Sequence, residues 1–161
     1  MQDTDDSKKQ THKPNVPLPA PVYFGLSIAL GFALSRLHPL SVNTYPVLYY
    51  CGWVINALAA VLLLWCFALF IRQRTTIMPS NPVSALVIAG PYRYSRNPMY
   101  VSLALFHLGI MLNTGNLWQA FTFLPHILAV RYWVIAPEEI YMRSRFGSAY
   151  AAYATRVRRW L

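Results

Sequence analysis

The sequence predicts an all-α fold: a polytopic membrane helical bundle of about four transmembrane helices with a C-terminal amphipathic helix. Three observations lead there. Apolar residues make up 56% of the 161-residue chain, a share that so short a protein cannot easily hide from water. These residues are gathered into runs close to the length a bilayer demands. The charges lie in the gaps between the runs and are strongly basic, with 14 Lys and Arg against 5 Asp and Glu and a formal net charge of +9. A basic balance alone would admit a nucleic-acid binder. Charge segregated between apolar runs points to a bilayer instead, with no nucleic-acid partner.

Residues 1–21 are polar and then rich in proline, and they read as a disordered tail with a stiff, extended lead-in. The acidic start and the lack of a clean cleavage site make this a poor signal peptide. A single domain over residues 22–161 follows. Its first span, 22–37, places Gly25, Ala29 and Ala33 at small-xxx-small spacing, which predicts a close helix neighbour on that face. The second span, 46–71, repeats the pattern with Gly52, Asn56 and Ala60. Asn56 reads as an interhelical hydrogen-bond former. Cys51 and Cys66 share this run about 22 Å apart along a helix, too far for a disulfide, and no Cys/His spacing suggests a metal.

The third span, 98–112, is only about 23 Å long as a helix and is marginal for crossing alone. A turn signal, Asn113-Thr114-Gly115-Asn116, joins it to the fourth span, 117–136, so the pair reads as a helical hairpin. His107 and His126 lie inside these spans and read as interhelical hydrogen-bond formers rather than metal ligands. Over residues 140–160, Phe146, Tyr150, Tyr153, Val157 and Trp160 recur at spacings of four and three among arginines. That pattern predicts a basic amphipathic helix lying on the membrane surface or against the bundle.

Lys8, Lys9 and Lys13 precede span one. Arg72, Arg74, Arg93 and Arg96 separate spans two and three, and Arg143, Arg145, Arg156, Arg158 and Arg159 follow span four. The opposite loops hold only Arg36. The positive-inside rule therefore expects both termini and the long middle loop in the cytoplasm, most simply at a bacterial inner membrane.

Two polar clusters carry the chemistry. One is the run Gly90-Pro91-Tyr92-Arg93-Tyr94-Ser95-Arg96-Asn97-Pro98-Met99-Tyr100, and the other is Pro137-Glu138-Glu139. The hairpin brings the start of span three and the end of span four to the same side, so the clusters should meet. Carboxylates and aromatic faces together suit a cationic, partly aromatic ligand. Arg131 lies two turns before Glu138 and is a candidate anchor for an anionic group of an acceptor.

In these residues the chain resembles the isoprenylcysteine carboxyl methyltransferases and the related membrane phospholipid methyltransferases. The resemblance covers roughly residues 75–161. It rests on Leu86-Val87, the Gly90–Tyr100 run, Glu138-Glu139, Phe146-Gly147, Tyr150, Tyr153 and the closing Val157-Arg158-Arg159-Trp160-Leu161. It implies an integral membrane enzyme that takes S-adenosyl-L-methionine from the cytosol and a lipid or lipidated acceptor from the bilayer. By match of position, Leu86, Val87, Tyr92, Asn97, Pro98, Met99, Tyr100 and Glu138 would bind the cofactor. Arg131, Glu138 and Glu139 would serve the transfer itself. Asn97 stands where the family has a histidine, and Val134 stands where the isoprenylcysteine enzymes have an arginine. Two other readings remain open at this point: a nicotinamide-dependent membrane reductase and a non-catalytic membrane scaffold.

Overall fold

The structure is a computed structural model, and it describes residues 16–42, 45–73 and 85–161. Most of the expected N-terminal tail lies outside these residues. The described chain is helical throughout, with α1 (Ala20–Leu37), α2 (Pro46–Arg72), α3 (Pro98–Thr114), α4 (Leu117–Ala129) and α5 (Ala136–Arg156). A short 3-10 turn, Gly90–Arg93, precedes α3, and a π-helical segment, Val130–Ile135, joins α4 to α5. By length and composition, α1, α2 and the continuous run Leu117–Arg156 can each cross a membrane, and α3 is a shorter apolar helix. This is the helical membrane bundle the sequence predicts.

The helices run up and down. α2 packs along α3, α3 turns back into α4, and α1 lies on α4. Local chemistry sets these boundaries. Proline opens α2 and α3 in the first turn, where a missing N–H costs nothing. Gly115 closes α3 at φ 61°, a left-handed conformation that glycine adopts without strain. Asn116 then caps α4 by accepting from the Trp118 N–H at 3.0 Å. At this end the chain after α1 is tied in, since Leu117 N donates to Leu40 O and Trp118 Nε1 donates to His38 O.

α2 meets α3 through small and polar residues. Gly52 is buried, and a Cβ there would strike Asn113 at 2.6 Å. A Cβ on Gly109 would run into Asn56. Asn56 Nδ2 donates to Asn113 Oδ1 at 2.9 Å, the interhelical bond expected of it.

On α1 the expectation fails. Gly25, Ala29 and Ala33 are exposed, and a Cβ on Gly25 would meet nothing within 4 Å. The buried face is Ser27 and Gly31 instead. Gly31 admits the fully buried Gln119, whose amide Nε2 donates to Ile28 O at 3.2 Å. A polar side chain inside a bilayer must find a partner, and that need orients α1 more strongly than the size of its residues.

The helix expected over 140–160 also differs. It ends at Arg156, and Gly147 (φ 51°, ψ −124°) breaks it. The break turns Tyr150 and Tyr153 back toward the start of α3. The last residues then run extended beside Ser95. Outward-facing leucines such as Leu58 (61% exposed) and Leu64 (66%) line the bundle exterior, as befits a lipid-facing surface.

Candidate functional site

The hairpin brings the two polar clusters together. The Tyr100 hydroxyl, one turn into α3, donates to Glu138 Oε1 at 2.7 Å. Glu138 sits in the first turn of α5, beyond the apolar segment. Burial pushes its carboxyl up to about 7; the Tyr100 hydrogen bond pulls it back, and the neighbouring Glu139 charge adds to the rise. The next carboxylate has a different fate. Glu139 is 7% exposed and takes a two-pronged contact from Arg159, Nε to Oε1 at 3.0 Å and Nη2 to Oε2 at 2.7 Å. Arg96 Nη1 approaches Oε1 at 3.3 Å from the other side. Among the described residues both ion pairs go to Glu139, and Glu138 has none.

The C-terminal arm closes the cluster. Arg96 N donates to Arg158 O, and Asn97 Nδ2 donates to Arg159 O at 2.9 Å. The amide at this position is thus engaged in holding the arm. Ser95, 2% exposed, caps its own turn by accepting from Asn97 N. The Tyr153 hydroxyl reaches back to Tyr92 O at 2.7 Å, so the second half of α5 fixes the 3-10 turn. Gly90 begins that turn at φ 59°, close against Leu69 and Trp65 of α2.

Most of the sequence-derived candidates fall around this point. Pro98 is fully buried at the start of α3. Val87 and Tyr92 are buried with Cys66, and Met99 packs against them. Leu86 is partly buried just before Val87. Tyr100 also packs on the core formed by Leu103, Val130, Val134 and Ile135. Arg131 is the exception. It is exposed, with its guanidinium 5.4 Å from the ring centroid of Tyr132. An uninterrupted α-helix would put Arg131 and Glu138 on one face. The π segment takes up about one extra residue, some 100° of turn, and separates them. The cations that do reach this acidic pair, both at Glu139, are Arg96 and Arg159. Sequence reasoning named both only as motif or interface residues. An acidic pair that needs counter-charges was the signal that could have found them.

A half-buried carboxyl with no cation of its own among the described residues, beside tyrosines, favours a positively charged ligand. The residues present therefore fit a sulfonium- or ammonium-bearing cofactor. The model of the phospholipid methyltransferase family matches residues 47–149, from α2 into α5. The chain belongs to the phospholipid methyltransferase family. Membrane methyl transfer is the general activity this membership supports. A Haemophilus influenzae protein described as uncharacterized is 41% identical over 63 residues, which is 39% of this chain and 100% of its own length. No solved structure matches. Within a phospholipid methyltransferase, the Tyr100–Glu138 contact and the Glu139 ion pairs form the candidate active site.

Proposed function

We propose that the protein is a membrane-embedded methyltransferase that uses S-adenosyl-L-methionine and methylates a lipid-like or prenylated acceptor at a carboxylate oxygen or an amine nitrogen. The observation that carries this is Glu138, a half-buried carboxylate held by Tyr100 with no cationic partner of its own among the described residues. The distribution of arginines supports a site at the cytosolic face, with both termini in the cytosol of a bacterial cell.

In this reading Leu86, Val87, Tyr92, Asn97, Pro98, Met99, Tyr100 and Glu138 hold the cofactor. S-adenosyl-L-methionine, when bound, supplies a methyl group already activated on a sulfonium sulfur. The protein mainly aligns acceptor and donor, a contribution on the order of 7–11 kcal/mol for well-oriented reactants. Tyr92 and Tyr100 offer aromatic surface, and Glu138 offers charge. A carboxylate acceptor needs no base. An amine acceptor must shed a proton, and Glu138, with its carboxyl near neutrality, is placed to take it. Glu139 keeps Arg96 and Arg159 in place behind Glu138. Arg131, at the outward boundary, is the proposed contact for an anionic group of the acceptor.

Calorimetric binding of S-adenosylhomocysteine to the purified protein, in competition with NADPH, tests the cofactor. Displacement by NADPH alone would instead favour a nicotinamide reductase, and no binding of either would favour a scaffold. Mass spectrometry of lipids from cells with and without the protein tests the acceptor, which should differ by one methyl group.

A further inference from the structure

A second site lies between α1 and α4. There a groove of about 570 Å³ is lined by Leu26, Ser27, Leu30, His126, Tyr132 and Trp133 among others. Its size falls inside the range of about 300–1,000 Å³ usual for ligand sites. The walls are mostly apolar, with Ser27, Thr122 and His126 among the polar members. His126 is 3% exposed, and its Nε2 has no hydrogen-bond partner among the described residues.

The surrounding bonds fix which kind of partner Nε2 lacks. His107 Nε2 lies 3.0 Å from the Gln119 carbonyl oxygen, which only accepts, so His107 carries its hydrogen on Nε2. A neutral His107 then has a lone pair on Nδ1, and a charged one within a span would be costly. His107 Nδ1 and His126 Nδ1 are 3.3 Å apart. The hydrogen between them must therefore belong to His126. Ser27 Oγ also lies 3.4 Å from His107 Nδ1, but its hydroxyl makes the shorter bond to Phe24 O at 2.7 Å. His126 Nε2 is consequently a buried acceptor waiting for a donor. Leaving it bare is unfavourable, because a buried acceptor forfeits its bond to water without gaining another.

We infer that the α1/α4 groove binds a single apolar chain with an anionic head and one hydroxyl along its length, and that this hydroxyl donates to His126 Nε2. The bilayer is the solvent here, so a plain chain gains little over lipid and the hydroxyl confers the preference. Arg131, next in sequence to the groove-lining Tyr132 and roughly 8 Å of axial rise from His126, offers charge to the head. The inference shares Arg131 with the proposed acceptor contact but does not require methyl transfer.

The test is calorimetry on the detergent-purified protein with stearic acid and with stearic acid hydroxylated at mid-chain. The wild type should bind the hydroxylated acid about tenfold more tightly, the equivalent of about 1.4 kcal/mol. His126→Phe should erase the preference while keeping stearic acid binding. Leu30→Trp, which fills the groove from α1 without touching the histidines, should weaken both acids. Equal affinities in the wild type, a preference surviving in His126→Phe, or undiminished binding in Leu30→Trp would each overturn the inference. Should His126→Phe fail to fold, the wild-type ratio and Leu30→Trp decide it. S-adenosylhomocysteine binding, measured on the same samples, reports separately on the methyl-transfer reading and should be unchanged in Leu30→Trp.

Discussion

Tyr100 and Glu138, separated by 38 residues, are joined by a 2.7 Å hydrogen bond in which the phenol donates to the carboxyl. The bond spans the open end of the α3–α4 hairpin. Hydrogen bonds to charged groups contribute about 1.5–3 kcal/mol. Tyr100→Phe should therefore weaken S-adenosyl-L-methionine binding by about tenfold or more. Glu138→Gln, which removes the charge, should weaken it further. Calorimetry on the folded variants checks both, and unchanged affinity in the pair would remove Glu138 from the cofactor site.

Affinity for the cationic donor should depend on pH. The Glu138 carboxyl is raised from 4.5 to about 7, so it loses its proton only near neutrality. Binding of S-adenosyl-L-methionine should tighten as pH rises through about 7, with about a tenfold loss for each unit below it. Glu138→Gln should flatten that profile. The sign for stability is opposite. The folded state keeps a proton that the unfolded chain has released, so this group's contribution falls as pH rises from about 4.5 to about 7 and is constant above. Melting temperatures of wild type and Glu138→Gln across that window should converge at the acid end.

Arg159→Ala should destabilise the protein by about 1–2 kcal/mol. The figure is smaller than for a fully buried pair because the arginine is partly exposed and Arg96 still faces Glu139. Exposed Arg156, whose guanidinium meets the Ala152 carbonyl of its own helix and no carboxylate among the described residues, is the control, and Arg156→Ala should change stability by less than about 0.5 kcal/mol. Thermal melts in detergent separate the two.

Gly109→Ala should cost about 1–3 kcal/mol, because the added methyl would collide with Asn56 at the α2–α3 contact. Gly25→Ala, on an open face, should be neutral by the same assay.

Much of this was legible in the sequence. The Asn113–Asn116 turn signal placed the hairpin, and the hairpin predicted that the Gly90–Tyr100 cluster and the Glu138-Glu139 pair would meet. Gly52 and Asn56 announced the face of α2 because size and polarity agree there. On α1 they disagree. Gly25, Ala29 and Ala33 satisfy a spacing rule, but Gln119 demands Gly31, and that demand comes from a helix about ninety residues away. The face that Arg131 shares with Glu138 in the sequence reading differs for a local reason. Helical phase was counted at one constant pitch, and the π segment between Val130 and Ile135 changes it. The break at Gly147 had the same effect on the C-terminal pattern, whose spacing of four and three continued in sequence after the helix had turned.

The Glu139 contacts join residues 96, 139 and 159, which leave the ribosome at widely separated times. A growing chain can place all its apolar helices in the bilayer and still lack Arg159. Such an intermediate would hold an acidic group without its strongest counter-charge, so the centre is assembled only once residue 159 emerges. Catalytic competence would then lag behind insertion of the apolar helices, and a chain cut before Arg159 would be inert.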